Sequence, residues 1–278
     1  MPTPIDLMHR GLDRVVGAYE IDGVIVDPGP ASCVERLLAA VPEPRALLLT
    51  HIHLDHAGAT GVLVRRFPEL KVYVHERGAP HLIDPSRLLS SAAQLYGDEM
   101  DALWGEVAPV PEANVHVLSG GETVEGFRVA YTPGHASHHV SYLNEATGDA
   151  FVGDVGGVRI PPTELTLAPT PPPDIDLEAW RESLDKIADW RPSRLCMTHF
   201  GSTDSVERQL DRVRESAASL AKRVRDATLD DFQAALREKV RATLDADVVE
   251  RLELAAPFDH IYLGLDRYWR KRAEREAA

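Results

Sequence analysis

The sequence of 278 residues has few cysteines, no long apolar run and no signal-peptide pattern, which are the marks of disulfide-rich, membrane-spanning and exported proteins. Its two cysteines, Cys33 and Cys196, are far apart and flanked by apolar residues, so we expect buried thiols and no disulfide framework. No apolar run approaches the ~20 residues that cross a bilayer, and the N-terminus lacks the basic and apolar segments of a signal peptide. We therefore expect a cytoplasmic protein with no membrane partner.

Positive charge is also scarce. The chain has 30 lysines and arginines against 44 acidic residues, which gives a net charge of −14. A chain of this charge repels polyanions at long range, so nucleic acid is not an expected partner. The sequence also has no Gly-x-Ser-x-Gly motif, so nothing in it resembles the nucleophile elbow of serine hydrolases.

Short apolar runs alternate with turns and helical patterns in the first part of the chain. Residues 19–29 are typical of a β-hairpin that turns at Asp22 and Gly23. Other apolar runs predict strands at 45–50, 71–75, 115–118, 127–131, 140–143, 150–153 and 194–198, and the helical spacing predicts helices at 32–41, 58–66 and 177–190. Strands mixed with helices in this order predict a layered α/β fold.

Two segments depart from this alternation. Residues 76–112 are rich in proline and carry a helical pattern, so we interpret them as a helical insertion that either lines a pocket or forms a small core of its own. Residues 204–278 are helical in pattern, with breaks near Thr228 and Pro257. We therefore expect a catalytic domain over residues 1–203, followed by a C-terminal helical extension over 204–278.

Chemistry is concentrated in one short motif. Residues 50–58 read Thr-His-Ile-His-Leu-Asp-His-Ala-Gly and place four ligand-type side chains directly after a predicted buried strand. Neutral imidazole and carboxylate are standard ligands of zinc and similar ions. Because a turn points alternate side chains in different directions, His51 and His53 can meet one metal ion while Asp55 and His56 meet another. Packing alone gives no reason for such a cluster, so the motif predicts a metal site.

Three later positions share this local context at the end of a predicted strand. They are His135 in Thr-Pro-Gly-His, Asp154 in Gly-Asp, and His199 in Thr-His. Ligands at the ends of neighbouring strands can converge on one edge of a sheet, which is where α/β folds generally place their sites. We therefore expect these three side chains to join the cluster.

Taken together, these motifs resemble those of the metallo-β-lactamase superfamily, in the branch that includes hydroxyacylglutathione hydrolases (glyoxalase II) and lactonases. The His-x-His-x-Asp-His motif is met at residues 51–56, and the later ligands follow in the family's order. The resemblance covers roughly residues 15–201. It implies a four-layer αβ/βα sandwich that holds two metal ions at one edge.

The resemblance also implies a role for each ligand. The first metal ion would be bound by His51, His53 and His135, the second by Asp55, His56 and His199, and both by Asp154. A divalent metal can lower the pKa of a bound water from ~15.7 to ~7, so a shared hydroxide would exist at neutral pH. Asp55, the expected catalytic residue, would orient this hydroxide. We expect zinc, although the same ligands suit iron and manganese.

Outside the ligands, the resemblance and the pattern indicate four further candidates. His139 either orients a metal ligand or is an ordinary strand residue. The insertion lengthens the interval between His56 and His135 to 79 residues, and we expect it to cover the site with apolar and aromatic side chains. The candidates for substrate contact are His81, Tyr96 and Trp104. The expected substrate is a small molecule with a hydrophobic part.

The motifs do not select the bond that is cleaved. A thioesterase of the glyoxalase II kind should have a basic C-terminal region that grips glutathione, and no specific contacts match here. A lactonase should have a tyrosine soon after the bridging aspartate, where this chain has residues 155–158, Val-Gly-Gly-Val. The prediction is therefore a hydrolase of an ester-like bond, whether thioester, ester or lactone.

Other functions and assemblies stay open. One alternative is a persulfide dioxygenase that binds a single iron, and another is a regulatory member without turnover; the complete set of seven ligands favours the hydrolase over both. A nuclease is a weaker alternative, because the net charge is −14. The apolar side chains from Phe258 to Trp269 could pack on the main domain or on a second subunit, and a homodimer is expected.

Overall fold

The computed structural model describes residues 2–277 and builds them around two six-stranded sheets. The first sheet has its strands in chain order: β1 (Ile5–Asp6), β2 (Gly17–Ile21), β3 (Val24–Val26), β4 (Ala46–Leu48), β5 (Lys71–His75) and β6 (Val115–Leu118). Pairing is antiparallel from β1 to β3 and parallel from β3 to β6. The predicted hairpin is confirmed, and its turn places Asp22 and Gly23 at φ values of 49° and 78°.

The second sheet also has its strands in chain order. Its strands are β7 (Thr123–Val124), β8 (Phe127–Tyr131), β9 (Val140–Asn144), β10 (Asp149–Phe151), β11 (Arg194–Met197) and β12 (Gly201–Thr203). All neighbours are antiparallel except β10 and β11, which are parallel. As a result β8, β10 and β11 run in the same direction, and their carboxyl ends meet at one edge.

Helices cover the outer faces of both sheets. They are α1 (Val34–Ala40), α2 (Leu54–Ala57), α3 (Thr60–Arg66), α4 (Ala79–Ile83), α5 (Ser86–Tyr96), α6 (Met100–Trp104), α7 (Leu177–Asp189), α8 (Val206–Arg225), α9 (Leu229–Arg241), α10 (Ala246–Ala255) and α11 (Phe258–Ala277). Short 3₁₀ turns occupy His9–Gly11, Ala31–Cys33, Gly97–Glu99, Glu112–Asn114 and Gly153–Gly156. Among residues 2–277, every helix is too short or too polar to span a bilayer.

Two cores follow from the alternation of side chains along the strands. In β3, Val24 and Val26 face the other sheet, where Phe127 and Phe151 meet them, whereas Ile25 faces the helices. One core therefore lies between the sheets, and the larger one lies between the sheets and the helices. This arrangement confirms the predicted four-layer αβ/βα sandwich, which also carries helices at its C-terminus.

The last helix is docked on the chain's own surface. The apolar face of α11 packs against α8 and α9, and Phe258, Ile261 and Leu265 are buried there. These side chains therefore pack on helices of the same chain, which is one of the two possibilities given by the sequence; the other was a second subunit. The apolar face therefore gives no support to a homodimer, which stays a prediction.

A glycine sets how closely α11 approaches the loop before α7. A Cβ atom at Gly264 would lie 1.8 Å from the carbonyl oxygen of Thr170, so a side chain there would force helix and loop apart. The Thr170 hydroxyl also donates a hydrogen bond to the Ile261 carbonyl at 3.1 Å. The position of this loop is thus tied to the C-terminal helix.

Candidate metal centre

All seven predicted ligands lie at one edge of the sandwich. Residues 51–56 follow β4, His135 follows β8, Asp154 follows β10 and His199 follows β11. The common direction of β8, β10 and β11 brings their three loops together opposite the loop after β4. Their ligand atoms form two groups, in each of which all atoms lie within 4.8 Å of one another.

The first group contains His51, His53, His135 and Asp154. The Nδ1 atom of His53 lies 3.0 Å from Nε2 of His51 and 2.9 Å from Nε2 of His135. The Oδ2 atom of Asp154 lies 3.4 Å from the same His135 nitrogen. Three imidazole nitrogens that point at one place cannot all be satisfied by one another's protons, but one cation would satisfy all of them.

The second group contains Asp55, His56 and His199. The Oδ2 atom of Asp55 lies 3.2 Å from Nε2 of His199. The Oδ1 atom of Asp154 lies 3.1 Å from Nε2 of His56 and 3.6 Å from Nε2 of His199. Asp154 therefore presents one carboxylate oxygen to each group, which is the geometry of a bridging ligand.

Three of the ligand atoms have no hydrogen-bond partner that could take the place of a metal ion. Nε2 of His56, Nε2 of His199 and Oδ1 of Asp154 are buried and have no hydrogen-bond partner among the described residues. An unsatisfied buried polar atom costs about 1–3 kcal/mol, so three in contact call for an explanation. Divalent cations that take imidazole and carboxylate ligands, such as zinc, iron and manganese, would satisfy all three.

Each of three ligand imidazoles is held by a hydrogen bond from its other nitrogen. The Nδ1–H group of His56 donates to Asp27 at 2.8 Å, that of His135 to the Pro169 carbonyl at 2.8 Å, and that of His199 to the Val15 carbonyl at 2.6 Å. Donation from Nδ1 leaves the lone pair on Nε2, which faces the cluster. These contacts fix the tautomer and the direction of each ring.

Asp27 is a site residue that the sequence reasoning missed. Its side chain is 1% exposed and accepts hydrogen bonds from the Thr50 amide, the Thr50 hydroxyl and the Thr198 hydroxyl, in addition to His56. It therefore ties the loop after β4 to the loop after β11. The signal was available, because Asp27 follows a strand and precedes Pro28 and Gly29, the same context as the ligands.

His139 packs behind the ligands without hydrogen-bonding to them. Its ring is fully buried, with its centroid 5.1 Å from that of His51. Its Nδ1 atom lies 3.0 Å from the Thr132 hydroxyl. A Cβ atom at Gly153 would lie 2.8 Å from its Nε2 atom, so the loop that carries Asp154 passes directly over the ring. Among residues 2–277, His139 therefore contacts the metal ligands only through its ring, which packs against the ring of His51.

The pKa shifts in the cluster follow burial and charge. Burial lowers the pKa of His53 to about 3 and lowers that of His51 as well, so both rings are neutral and offer a lone pair. Burial opposes a charge on His56 too, but the carboxylates of Asp154 and Asp55 outweigh it and raise the pKa of that ring. The carboxylates thus attract positive charge to the second group, where a metal cation would take the place of the proton.

A cavity of about 270 Å³ opens directly onto the cluster. His53, Asp55 and Asp154 form its inner wall, whereas α4, α5 and residues 255–261 form the outer wall. His81 and Tyr96, both candidates for substrate contact, line it. His138 and His260 also line it, and neither was singled out as a cavity residue.

Trp104 does not line the cavity, so that prediction was wrong. The side chain is 5% exposed and lies behind Tyr96, with ring centroids 4.9 Å apart. The reason is that α6 folds back onto the N-terminal turns, where Trp104 stacks on His9 at 5.5 Å and Ser32 hydrogen-bonds to the Leu103 carbonyl at 2.7 Å. Trp104 therefore supports the wall from behind.

The fold and the cluster together define an α/β sandwich protein with a His/Asp site suited to divalent metal ions. The family model described as "Metallo-beta-lactamase superfamily" matches residues 18–199. The chain therefore belongs to the metallo-β-lactamase superfamily, whose members are generally metal-dependent hydrolases.

Individual relatives match only part of their length. The chain is 31% identical over 162 residues to "Metallo-beta-lactamase fold-containing protein ST1585" of Sulfurisphaera tokodaii, a match that covers 56% of this chain and 60% of that protein. It is 30% identical over 134 residues to the hydroxyacylglutathione hydrolase of Thermosynechococcus vestitus, covering 47% of this chain and 42% of the enzyme. The chain thus spans less than two thirds of either relative in sequence.

Solved structures extend the likeness of fold. The crystal structure of ST1585 superposes with a TM-score of 0.72 at 22% identity and covers 96% of this chain and 97% of its own. The protein TTHA1623, solved in a di-iron-bound form, superposes with a TM-score of 0.56 at 26% identity and covers 74% of this chain and 96% of its own. The fold likeness to ST1585 therefore includes the C-terminal helices.

Proposed function

We propose that the protein is a hydrolase that binds two divalent metal ions, expected to be zinc, and cleaves a thioester, ester or lactone in a small molecule. The observation that carries this proposal is the pair of ligand groups that share Asp154, with a cavity opening onto both. Bound there, the ions would supply Lewis-acid activation of water and of a carbonyl oxygen at neutral pH. His51, His53 and His135 would hold one ion, and Asp55, His56 and His199 the other.

The chain's own residues would position the reactants. Asp55 is the most exposed of the carboxylate ligands, with 22% of its side chain accessible from the cavity, so it can orient the attacking water and hold its proton. Leu88 and Leu95 of α5 line the outer wall and would bury an apolar part of the substrate.

The relatives support parts of this proposal. Hydroxyacylglutathione hydrolases act on a thioester, in keeping with the bond class, and the di-iron form of TTHA1623 is in keeping with two metal positions. Because the chain spans less than half of the hydroxyacylglutathione hydrolase, the particular substrate is left to experiment.

Metal content and hydrolysis, measured on one purified sample, test the proposal. We expect about two metal ions per chain by elemental analysis and turnover of one class in a panel of thioesters, esters, lactones, β-lactams and phosphodiesters. Asp55→Asn should abolish that turnover, whereas the matched change Asp189→Asn, at an exposed helix end, should leave it intact. A protein that binds no metal after reconstitution, or that hydrolyses nothing with two metals bound, would contradict the proposal.

The same experiment separates the alternatives. About one iron per chain, with oxygen uptake on persulfides and no hydrolysis, would replace the hydrolase with the oxygenase. Full metal occupancy without any turnover would favour the regulatory member. Neither alternative gives a reason for two complete ligand groups around Asp154.

A further inference from the structure

Two arginines line the outer wall of the cavity without a salt bridge to a described acidic side chain, and the nearest acidic charge to Arg87 is that of the exposed Asp84. Arg77 lies just before α4 and Arg87 lies in the first turn of α5, and both line the cavity that opens onto the metal ligands. Neither guanidinium forms an ion pair with another described residue. His81, on α4 between them in sequence, lines the same wall.

Arg77 is held in place without being neutralised. Its guanidinium carbon lies 5.8 Å from the ring centroid of Tyr131, whose other neighbour is the ring of His75, stacked at 4.4 Å. The Tyr131 hydroxyl is fixed in turn by a hydrogen bond of 2.9 Å to the Ser137 carbonyl. Stacking on a fixed ring orients the guanidinium and leaves its N–H groups free, so less conformational entropy is lost when they bind an anion.

The charge balance of the cavity wall is opposite to that of the whole chain. Apart from the metal ligands, the only acidic residue among the described lining residues is Asp174, which accepts a hydrogen bond of 2.6 Å from Ser137. The ligand carboxylates Asp55 and Asp154 would be more than offset by two divalent ions. Outside the metal ligands, the wall of a chain of net charge −14 thus carries the positive charges of Arg77 and Arg87 against the single negative charge of Asp174.

We infer that the substrate carries an anionic group, a carboxylate or phosphate, which Arg77 and Arg87 bind while the scissile bond lies at the metal ligands. This inference rests on the proposed hydrolase and names its substrate class. A cavity of about 270 Å³ is near the lower end of the usual range for small-molecule sites, so a ligand that fills it contacts most of its wall. Planar guanidinium groups match the oxygens of both anions.

The inference is tested with three substrates that share one leaving group: a succinic half-ester or half-thioester, its methyl ester, and the 3-phosphonopropionyl analogue. The wild-type protein should turn over a charged substrate with kcat/KM roughly tenfold to hundredfold above that of the neutral methyl ester. The variant R77Q/R87Q should lose this preference through KM and should keep its rate on the neutral substrate. Arg241→Gln, which removes one positive charge at the exposed end of α9, is the control for a loss of surface charge away from the cavity.

The same three substrates also distinguish carboxylate from phosphate as the anionic group of the natural substrate. A stronger preference for the phosphonate assigns phosphate as the natural group, and a stronger preference for the succinyl substrate assigns carboxylate. Equal or faster turnover of the neutral methyl ester would overturn the inference. A preference that survives in R77Q/R87Q would overturn it as well.

Calorimetry with glutarate separates this inference from the proposed function. Glutarate should bind the metal-loaded wild type and R241Q alike and should bind R77Q/R87Q roughly tenfold more weakly or not at all. Arginine-dependent binding in a protein that hydrolyses nothing would keep the anion subsite and refute the hydrolase. Ester hydrolysis without charge preference, with equal glutarate affinity in all three proteins, would refute the subsite and keep the hydrolase.

Discussion

The inner and outer walls of the cavity are built in different ways. The inner wall consists of loops at strand ends, and its imidazoles are fixed from behind by Asp27, the Pro169 carbonyl and the Val15 carbonyl. The outer wall consists of helices added to the sandwich, and two of its polar groups, the Arg77 guanidinium and the Tyr96 hydroxyl, have no hydrogen-bond or ion-pair partner among the described residues. On the proposed function, the sheet edge would determine the chemistry and the added helices would determine the substrate.

The largest effect should come from the residue that both ligand groups share. Asp154→Asn removes a charge that faces both groups, so we expect metal content to fall to one ion per chain or fewer and kcat/KM to fall roughly 10³-fold. Elemental analysis and kinetics on the same sample measure both. If Asp154→Asn keeps two tightly bound ions, Asp154 does not bridge the groups.

Behind the outer wall, Trp104→Ala should act on stability and leave the metals in place. Removal of this buried ring should lower the free energy of unfolding by about 3–5 kcal/mol, because a large cavity is left beside Tyr96 and His9. Denaturant unfolding measures the loss, and metal content should stay at the wild-type value. Metal loss in the folded variant would show that the two walls are not independent.

Asp27→Asn tests how strongly the inner wall depends on its support. The substitution keeps the shape but weakens the acceptor of the His56 N–H group, so we expect a fall of roughly 10–100-fold in metal affinity or activity. Competition with a chelator measures the affinity. Thr198→Val removes one hydroxyl donor from the same carboxylate without removing a hydrogen bond to a ligand ring, and it should cost less.

The smallest effect should come from Tyr96→Phe on the outer wall. The ring is held edge-on by Trp104 and His260, whereas its hydroxyl meets no described partner. Burial, together with Asp55 and Asp154, raises the pKa of Tyr96 above its usual value, so the hydroxyl stays protonated and can donate to a substrate. We expect kcat/KM to fall by up to about tenfold, with unchanged metal content and thermal stability. An unchanged kcat/KM would mean that the hydroxyl does not touch the substrate.

The layered α/β fold was predictable from the strand and helix pattern because its main strands are apolar runs bounded by turns, whereas the four-layer sandwich was implied by the family resemblance. The pieces that escaped prediction, β1, β7 and β12, have only two or three residues, too few to show a period. The break between α9 and α10 also escaped, because residues 242–245 contain no proline or glycine to mark it.

In the site, the ligand side chains could be predicted from their residue types, whereas the backbone groups that orient them could not be predicted. The seven ligand positions could be named because histidine and aspartate at strand ends have a chemical meaning. The carbonyls of Pro169 and Val15 have no such signature, since every residue has one. Likewise, helical spacing could not show that Tyr96 faces the cavity while Trp104 faces away, because that depends on how α6 folds back.

The close contact at Gly264 implies that the metal centre depends on the C-terminal helix α11. α11 holds Thr170, and the neighbouring Pro169 carbonyl orients His135, so the last helix reaches a predicted metal ligand through two hydrogen bonds joined by one peptide bond. Residues 18–199 match the family, but on their own they would lack both the helix that holds the support of His135 and the Val15 carbonyl that orients His199. Anyone who grafts this centre onto a smaller scaffold must carry the helix along or build a substitute for it.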